Sequence, residues 1–271
     1  AISGTPTAIT SATTYTVTAS NTGGSATTTV TILVNDAAPV IAYSPSSLTL
    51  TKGSAMTTLT PSSSGGTVTS WSISPSLPTG LSFNTSTGAI NGTPTAVSSS
   101  TNYTITATNL GGSGTATVTI QVNDVSPYAI VYSGTPFTLE KGTAMTTATP
   151  SVLGGAVTSW SISPSLPAGL LFSSSTGAIS GTPTAVSSTT QYTVTASNTG
   201  GSSTATVTIT VNDVGPSNIV YSGNPFTLTK DSAMTTATPS VSGGTVTSWS
   251  ISPSLPAGLS FSTSTGAISG T

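Results

Sequence analysis

The chain of 271 residues has a net charge of −2, only 3% charged residues, and no His or Cys. Three Lys+Arg residues cannot neutralise nucleic-acid phosphates, and no apolar run approaches the roughly 18 residues of a membrane span. These values argue against nucleic acid as a partner and against membrane insertion of this segment. A hydrophobic fraction of 35%, with Val, Ile and aromatic residues at regular places, indicates packed β-structure.

An internal repeat of 88 to 89 residues organises the chain. Trp71, Trp160 and Trp249 stand 89 residues apart, and most positions between them also match. This period is too long for one coil of a solenoid and fits one small β-sandwich per repeat. The sequence therefore predicts an all-β fold in which tandem β-sandwich domains of about 89 residues form a beaded linear array.

Domain boundaries are predicted after each Val-Asn-Asp tripeptide, because a proline follows within a few residues and ends the last strand. In chain order, we predict the C-terminal strands of a domain (1–36), two complete domains (37–124 and 125–213) and the N-terminal strands of a domain (214–271). Each end segment would expose the apolar face of a half sandwich, so we expect residues 214–271 to be completed by the 1–36 segment of an adjacent copy. Completion would come either from continuity of a longer polypeptide or from strands donated by a separate chain; the identical first and last five residues favour continuity.

Alternation of apolar and polar residues predicts the strands within each repeat. The segment 157–163, for example, places Trp160 and Ile162 on one face. In residues 125–213 about seven short strands are predicted, at 129–132, 136–139, 145–149, 157–162, 170–172 with 178–180, 192–197 and 204–211. Two sheets are expected to enclose a core of Trp160, Leu170, Phe172, Ile179, Tyr192, Val194, Val207 and Ile209.

Three segments of this repeat indicate a family. They are "WSISPSLPAGL" (160–170), "STGAISGTPT" (175–184) and "YTVTASNTGGSSTATVTITVND" (192–213). This pattern resembles the immunoglobulin-like (Ig-like) repeat of bacterial extracellular surface proteins, which is related to the cadherin-like domains of dystroglycan type. The resemblance covers the whole chain and implies an extracellular tandem array without catalytic residues, because the family motif is structural. The Cys pair of antibody domains is missing.

Catalysis is not predicted. A Ser nucleophile needs an adjacent base, and without His, Cys or Arg the chain offers only isolated lysines and carboxylates. The aspartates that end each Val-Asn-Asp tripeptide lie a whole domain apart, too far to form the carboxylate pair of glycoside hydrolysis. We therefore predict that the chain is not an enzyme and binds no cofactor.

Calcium binding at the predicted linkers is a weaker alternative to a purely structural role of the linker residues. Related cadherin domains bind Ca²⁺ at their junctions, and Asp36, Asp124 and Asp213 each stand at such a position. Ca²⁺ takes six to eight oxygen ligands, usually including several carboxylates, whereas each junction offers one acid. The favoured interpretation is that these aspartates cap the strand end and bind the linker backbone.

Lysines and threonines also recur. Lys52, Lys141 and Lys230 lie 89 residues apart in turn-like segments, and are interpreted as solvated turn lysines rather than as partners of an isopeptide cross-link. Alternate threonines in 204–210 fit the high β-propensity of Thr on an uncharged outer face; an ice-binding surface is the alternative.

Glycosylation has two candidate chemistries. Asn84, Asn91 and Asn102 fit the N-x-[ST] pattern, but all three lie in one repeat and are interpreted as chance matches in a Thr-rich chain. O-linked glycans on the many hydroxyls are a hypothesis.

Two functions are carried forward. The first is a structural, non-catalytic segment of a long extracellular repeat protein that forms a fibre, stalk or filament. Its partners would be other copies of itself, head-to-tail and also laterally, since a low charge density removes repulsion. The alternative is an adhesin repeat that binds carbohydrate or another cell surface, which would need exposed aromatic rings. The tryptophans occupy core-facing positions, and the exposure of Tyr132 and Tyr221 would help to decide.

Overall fold

The computed structural model describes residues 1–271, and all of its regular elements are β-strands. The chain starts with an antiparallel hairpin of β1 (Thr10–Asn21) and β2 (Gly24–Val34), in which Asn21 pairs with Gly24 at the tip. Threonines alternate with apolar residues along both strands, the pattern of a sheet with one apolar face. No residue of this hairpin is buried, so its apolar face is open.

The first complete β-sandwich domain follows. Its eight strands are β3 (Val40–Tyr43), β4 (Ser47–Thr51), β5 (Pro61–Ser64), β6 (Ser70–Ser74), β7 (Leu81–Phe83), β8 (Ile90–Gly92), β9 (Ser98–Asn109) and β10 (Gly112–Asn123). The larger sheet has the order β4-β10-β9-β6, with β4 parallel to β10 and the other pairs antiparallel. Smaller sheets consist of β3–β5 and β7–β8. The β9–β10 hairpin therefore occupies the centre of the larger sheet.

The second complete domain repeats this plan with nine strands. They are β11 (Tyr128–Val131), β12 (Phe137–Glu140), β13 (Met145–Ala148), β14 (Ser151–Leu153), β15 (Ser159–Ser163), β16 (Leu170–Phe172), β17 (Ile179–Gly181), β18 (Ser187–Asn198) and β19 (Gly201–Asn212). The larger sheet has the order β12-β19-β18-β15, and the smaller sheets have the orders β13-β17-β16 and β11-β14.

The predicted strands of this domain all overlap observed ones. Only β14 was not predicted, because its three residues directly precede Gly154 and Gly155 and look like the approach to a turn. The smaller layer is also divided into two sheets rather than one. Within the β11–β14 sheet the register is irregular between Tyr128 and Val131, where Ala129 has a φ of +52°.

Apolar side chains from the two layers form the core of the second domain. Ile179, Val194 and Ile209 have no exposed surface, and Trp160 is 7% exposed. Complete burial of one aliphatic side chain stabilises a fold by about 1.5–3 kcal/mol. The predicted core is confirmed, except that Phe172 is only partly buried at its margin. The core also includes residues that were not predicted: Ile130, Tyr132, Ala196 and Val211.

One turn of each repeat is held against the core tryptophan. Gly177 has a φ of +72°, and a Cβ at this position would lie 2.7 Å from the indole ring of Trp160. Both the backbone conformation and the close approach therefore require glycine. The corresponding pairs in the other repeats are Gly88 with Trp71 and Gly266 with Trp249.

Residues 214–271 form an incomplete version of the same domain, here called the open module. Its strands are β20 (Ser217–Tyr221), β21 (Pro239–Ser242), β22 (Leu259–Phe261) and β23 (Ile268–Gly270). The segments around Phe226 and Trp249, which correspond to β4 and β6, are not strands. In the complete domains these strands bond to the central hairpin. Within residues 214–271 no such hairpin lies beside the two segments, which explains why they are irregular.

Candidate functional site

The linker aspartates bind neighbouring backbone groups. The Oδ1 atom of Asp36 accepts a hydrogen bond from the N–H of Ala37, and its Oδ2 atom accepts one from the N–H of Thr67, both at 2.9 Å. Asp213 accepts bonds from the two corresponding N–H groups at 3.0 and 3.3 Å. These bonds hold each linker to the domain that follows it.

Asp124 has a different set of partners. Its Oδ1 atom accepts a hydrogen bond from the N–H of Val125 at 3.0 Å and lies 3.7 Å from the Nζ atom of Lys52. Its own N–H donates to the Oγ1 atom of Thr199 at 2.9 Å. No three Asp, Glu, His or Cys side chains come close enough together to hold a metal ion. Each junction thus offers Ca²⁺ one carboxylate, and that group already has a partner.

An asparagine at the tip of each complete domain's central hairpin also binds the linker. The Nδ2 atom of Asn109 donates to the carbonyl of Ala37 at 2.7 Å, and its Oδ1 atom accepts from the N–H of Gly111 at 2.8 Å. Asn198 makes the corresponding bonds at the same two distances. Asn109 is only 8% exposed. The sequence predicted only turns at these tips. The available signal was the recurrence of Asn two residues before a Gly-Gly pair.

The three lysines lie in different environments. Lys230 is exposed and lies 3.6 Å from the exposed carboxylate of Asp231, as expected of a solvated turn. Lys52, by contrast, pairs with Asp124, whose side chain is only 13% exposed. The sequence did not reveal this pair because its members are far apart along the chain. The backbone N–H of Lys141 donates to the carbonyl of Asn212.

The N-x-[ST] asparagines also differ. The Oδ1 atom of Asn84 accepts hydrogen bonds from the N–H groups of Ser86 and Thr87, which closes a turn. The Oδ1 atom of Asn102 accepts a bond from a threonine hydroxyl of β10 at 2.8 Å. Asn91 is exposed in β8. The threonines of β10 and β19 alternate with buried apolar residues and therefore line the outer face of each larger sheet.

The tyrosines near the linkers differ in how far their rings are exposed. Tyr132 is 3% exposed and belongs to the core, and Tyr221 is half-buried. Tyr128 is 52% exposed and pairs across the β11–β14 sheet with Leu153, which is 57% exposed. Tyr128 is thus the exposed aromatic residue in this part of the chain, and sequence reasoning did not single it out.

A comparison with protein families gives the identity of the fold. The family model described as "Putative Ig domain" matches residues 38–123, 122–212 and 215–271. The chain belongs to this family. Both complete domains and the open module are therefore Ig-like, which confirms the Ig-like fold inferred from the sequence.

Solved structures of Ig tandems are also similar to this Ig-like chain. The titin I-band fragment I67–I69 is 19% identical, with a TM-score of 0.41 and coverage of 74% of this chain and 75% of that chain. Domains 3–5 of Drosophila OTK are 16% identical, with a TM-score of 0.41 and coverage of 74% and 71%. Domains 1–5 of Sidekick-1 are 17% identical, with a TM-score of 0.32 and coverage of 74% and 45%. The fold assignment rests on the family match rather than on these structures.

No curated protein matches the Ig-like chain. Among its elements there is no helix long and apolar enough to cross a membrane. The family and the geometry together describe Ig-like domains whose repeated features are packing contacts and linker hydrogen bonds.

Proposed function

We propose that these Ig-like domains form a structural, non-catalytic segment of a long extracellular repeat protein that builds a fibre, stalk or filament. One observation carries this proposal: internal packing contacts recur from repeat to repeat, whereas the ion pairs at the surface do not. The contact of a core tryptophan with a turn glycine occurs three times. The ion pairs of the lysines, by contrast, change between repeats: Lys52 pairs with Asp124, whereas Lys230 pairs with Asp231.

The surface chemistry supports the same proposal. With 3% charged residues and a net charge of −2, the domains have little electrostatic repulsion to keep neighbouring chains apart. The outer faces of the larger sheets are rows of threonine hydroxyls, which are neutral and compatible with lateral packing. A Ser- and Thr-rich, nearly uncharged surface fits the outside of a cell.

An adhesin repeat that binds carbohydrate is the second candidate, and the exposed ring of Tyr128 is the observation in its favour. The corresponding positions in the other repeats are Val40 and Ser217, neither of which is aromatic. A sugar site built on Tyr128 would therefore occur once in this chain instead of once per domain.

Immunogold electron microscopy tests the proposed function. Antibodies against residues 37–213 would be applied to intact cells that make the protein. We expect gold particles along filaments or stalks outside the cell. Labelling that appears only after permeabilisation would contradict the proposal. Binding of the chain to a glycan array that is lost in Tyr128→Ala, but kept in Val131→Ala, would favour the adhesin instead.

A further inference from the structure

We infer that an apolar patch on the second complete domain binds the same patch on a second copy of the chain, so that the two chains lie side by side. The patch consists of Tyr128, Val131 and Leu153 on the outer face of the β11–β14 sheet. Its biological use rests on the proposed function, because the patch would be a lateral contact between neighbouring chains of a fibre. The patch belongs to a complete domain, in which the strands of both layers are present.

The three side chains share one face of the sheet. Tyr128 pairs with Leu153, and Val131 pairs with Ser151. Opposite residues of an antiparallel pair point to the same side, and so do residues two apart in one strand. Tyr128, Val131 and Leu153 are 52%, 55% and 57% exposed, whereas Ile130, which lies between the outward positions, belongs to the core. The patch therefore stands on a packed support.

The large cross-strand pair of tyrosine and leucine occurs in one repeat. At the same register position the other two repeats have the pairs Val40–Ser64 and Ser217–Ser242. The buried position beside this pair holds isoleucine in all three repeats. The core therefore does not require Tyr128 and Leu153, and their side chains are available to bind a partner.

A β-bulge determines how the patch can be approached. Compared with β3, strand β11 has one extra residue between its outward positions, Ala129, which has a φ of +52°. β11 has one neighbour in its sheet, so its other edge is free. Bulges hinder the pairing of such an edge with another strand. The contact between copies would therefore be made by the faces of the sheets and not by their edges.

The absence of charge around the patch favours a second copy as the occupant. The second domain has three charged residues, Glu140, Lys141 and Asp213, and none of them lies in β11 or β14. About a quarter of the residues of an ordinary globular protein are charged, and burial of such a group without an opposite charge costs free energy. A second copy has only 3% charged residues and brings none to this contact.

The size of the patch sets the strength of the contact. Three side chains that are each about half exposed present on the order of 300 Å² of surface, whereas a stable interface buries about 800 Å² on each partner. The remaining area would come from hydroxyl-bearing residues such as Ser151. Because a hydroxyl both donates and accepts hydrogen bonds, this rim is complementary to its own copy across a two-fold axis. We therefore expect a weak contact between isolated chains, which strengthens where chains already lie side by side.

Hydroxyl-radical footprinting read by mass spectrometry tests the contact, because it reports on each side chain separately. The full chain would be labelled over a range of protein concentrations. We expect the oxidation of Tyr128 and Leu153 to fall several-fold as the concentration rises, while that of Leu171 stays constant. Leu171 is 67% exposed in β16 and lies outside the patch. This local measurement does not depend on association through other surfaces.

A pair of leucine variants provides the matched comparison. Leu153→Ser introduces the residue that both other repeats have at this position, so the domain should stay folded. The concentration at which Tyr128 becomes protected should rise at least about tenfold, as expected when a buried anchor is removed from an interface. Leu171→Ser makes the same change at a position where both other repeats again have serine, and it should leave that concentration unchanged. Tryptophan fluorescence would verify that both variants are folded.

Three outcomes would overturn the inference. The first is oxidation of Tyr128 that does not change with protein concentration, and the second is an equal effect of the two leucine variants. The third is protection of Tyr128 by a soluble glycan but not by protein concentration, which would assign the patch to the carbohydrate-binding alternative. The immunogold test does not depend on any of these results, so the two proposals fail separately.

Discussion

The hydroxyl of Tyr132 donates a hydrogen bond to the backbone carbonyl of Gly177, which lies 2.5 Å away. Tyr132 directly follows β11, and Gly177 belongs to the turn before β17. The bond therefore joins the start of the domain to a turn 45 residues further along the chain. The same bond joins Tyr43 to Gly88 and joins Tyr221 to Gly266. A hydrogen bond from a core tyrosine thus fixes the position of this turn in each of the three repeats.

Tyr132→Phe should lower the free energy of unfolding of the second domain by about 1–3 kcal/mol, because the carbonyl of Gly177 would remain buried without a donor. Urea titration of the full chain would measure this change. Tyr128→Phe is the matched control, since Tyr128 is 52% exposed and should be replaceable without loss. An equal effect of the two substitutions would contradict the role of the bond.

Stability should also fall at alkaline pH. Burial raises the pKa of Tyr43 and of Tyr132 to about 12, whereas an unfolded tyrosine titrates near 10. Because the folded pKa is the higher one, the stabilisation is complete below about pH 10 and is lost as the pH rises through about 12. Urea titrations across this range would record the loss, and the double variant Tyr43→Phe, Tyr132→Phe should show a shallower one. If the free energy of unfolding of the double variant fell as steeply with pH, the loss would come from other titrating groups.

Gly177→Ala should destabilise the second domain by an overpacking cost of about 1–3 kcal/mol, in addition to the backbone strain at this positive φ. Its Cβ would stand 2.7 Å from the ring of Trp160, at a backbone φ of +72°. Gly142→Ala is the control, because Gly142 has a φ of +81° but open space around its Cβ. That change should cost only the backbone strain, about 1–2 kcal/mol. Thermal unfolding followed by tryptophan fluorescence would compare the two variants. Equal melting temperatures would contradict a role for the contact with Trp160.

Asn109→Ala should loosen the first linker. The substitution removes the bonds to Ala37 and Gly111, each of which contributes about 0.5–1.5 kcal/mol. Limited proteolysis mapped by mass spectrometry should then show faster cleavage near residue 37. Asn21→Ala is the control, because the exposed Asn21 binds only the N–H of Gly23. Unchanged cleavage in Asn109→Ala would mean that the aspartate bonds alone hold the linker.

Calcium should leave the melting temperature unchanged, whether it is added or removed with a chelator. Both carboxylate oxygens of Asp36 and of Asp213 already accept backbone hydrogen bonds. Differential scanning calorimetry with and without calcium would measure this. A calcium-dependent rise that disappears in Asp36→Ala would establish the linkers as binding sites.

Local alternation was sufficient to predict most of the fold, because a sheet with one buried face leaves a period of two in the sequence. Residues such as Val194 and Ile209 stand at those positions and are fully buried. Contacts between distant residues left no such pattern. The pairing of Lys52 with Asp124 and the bond from Asn109 to Ala37 depend on which strand ends meet in space.

In the larger sheet of each complete domain, the first strand along the chain runs parallel to the last strand. Ser47 pairs with Thr119, and Thr51 pairs with Asn123. Tension applied at the two ends of such a domain would draw β4 and β10 past each other along their length, so that the hydrogen bonds between them carry the load together and do not open one at a time. The parallel pair is thus the part of the domain that resists tension. The second complete domain has the same parallel pair, from Phe137 with Ile209 to Glu140 with Asn212, and should resist tension in the same way.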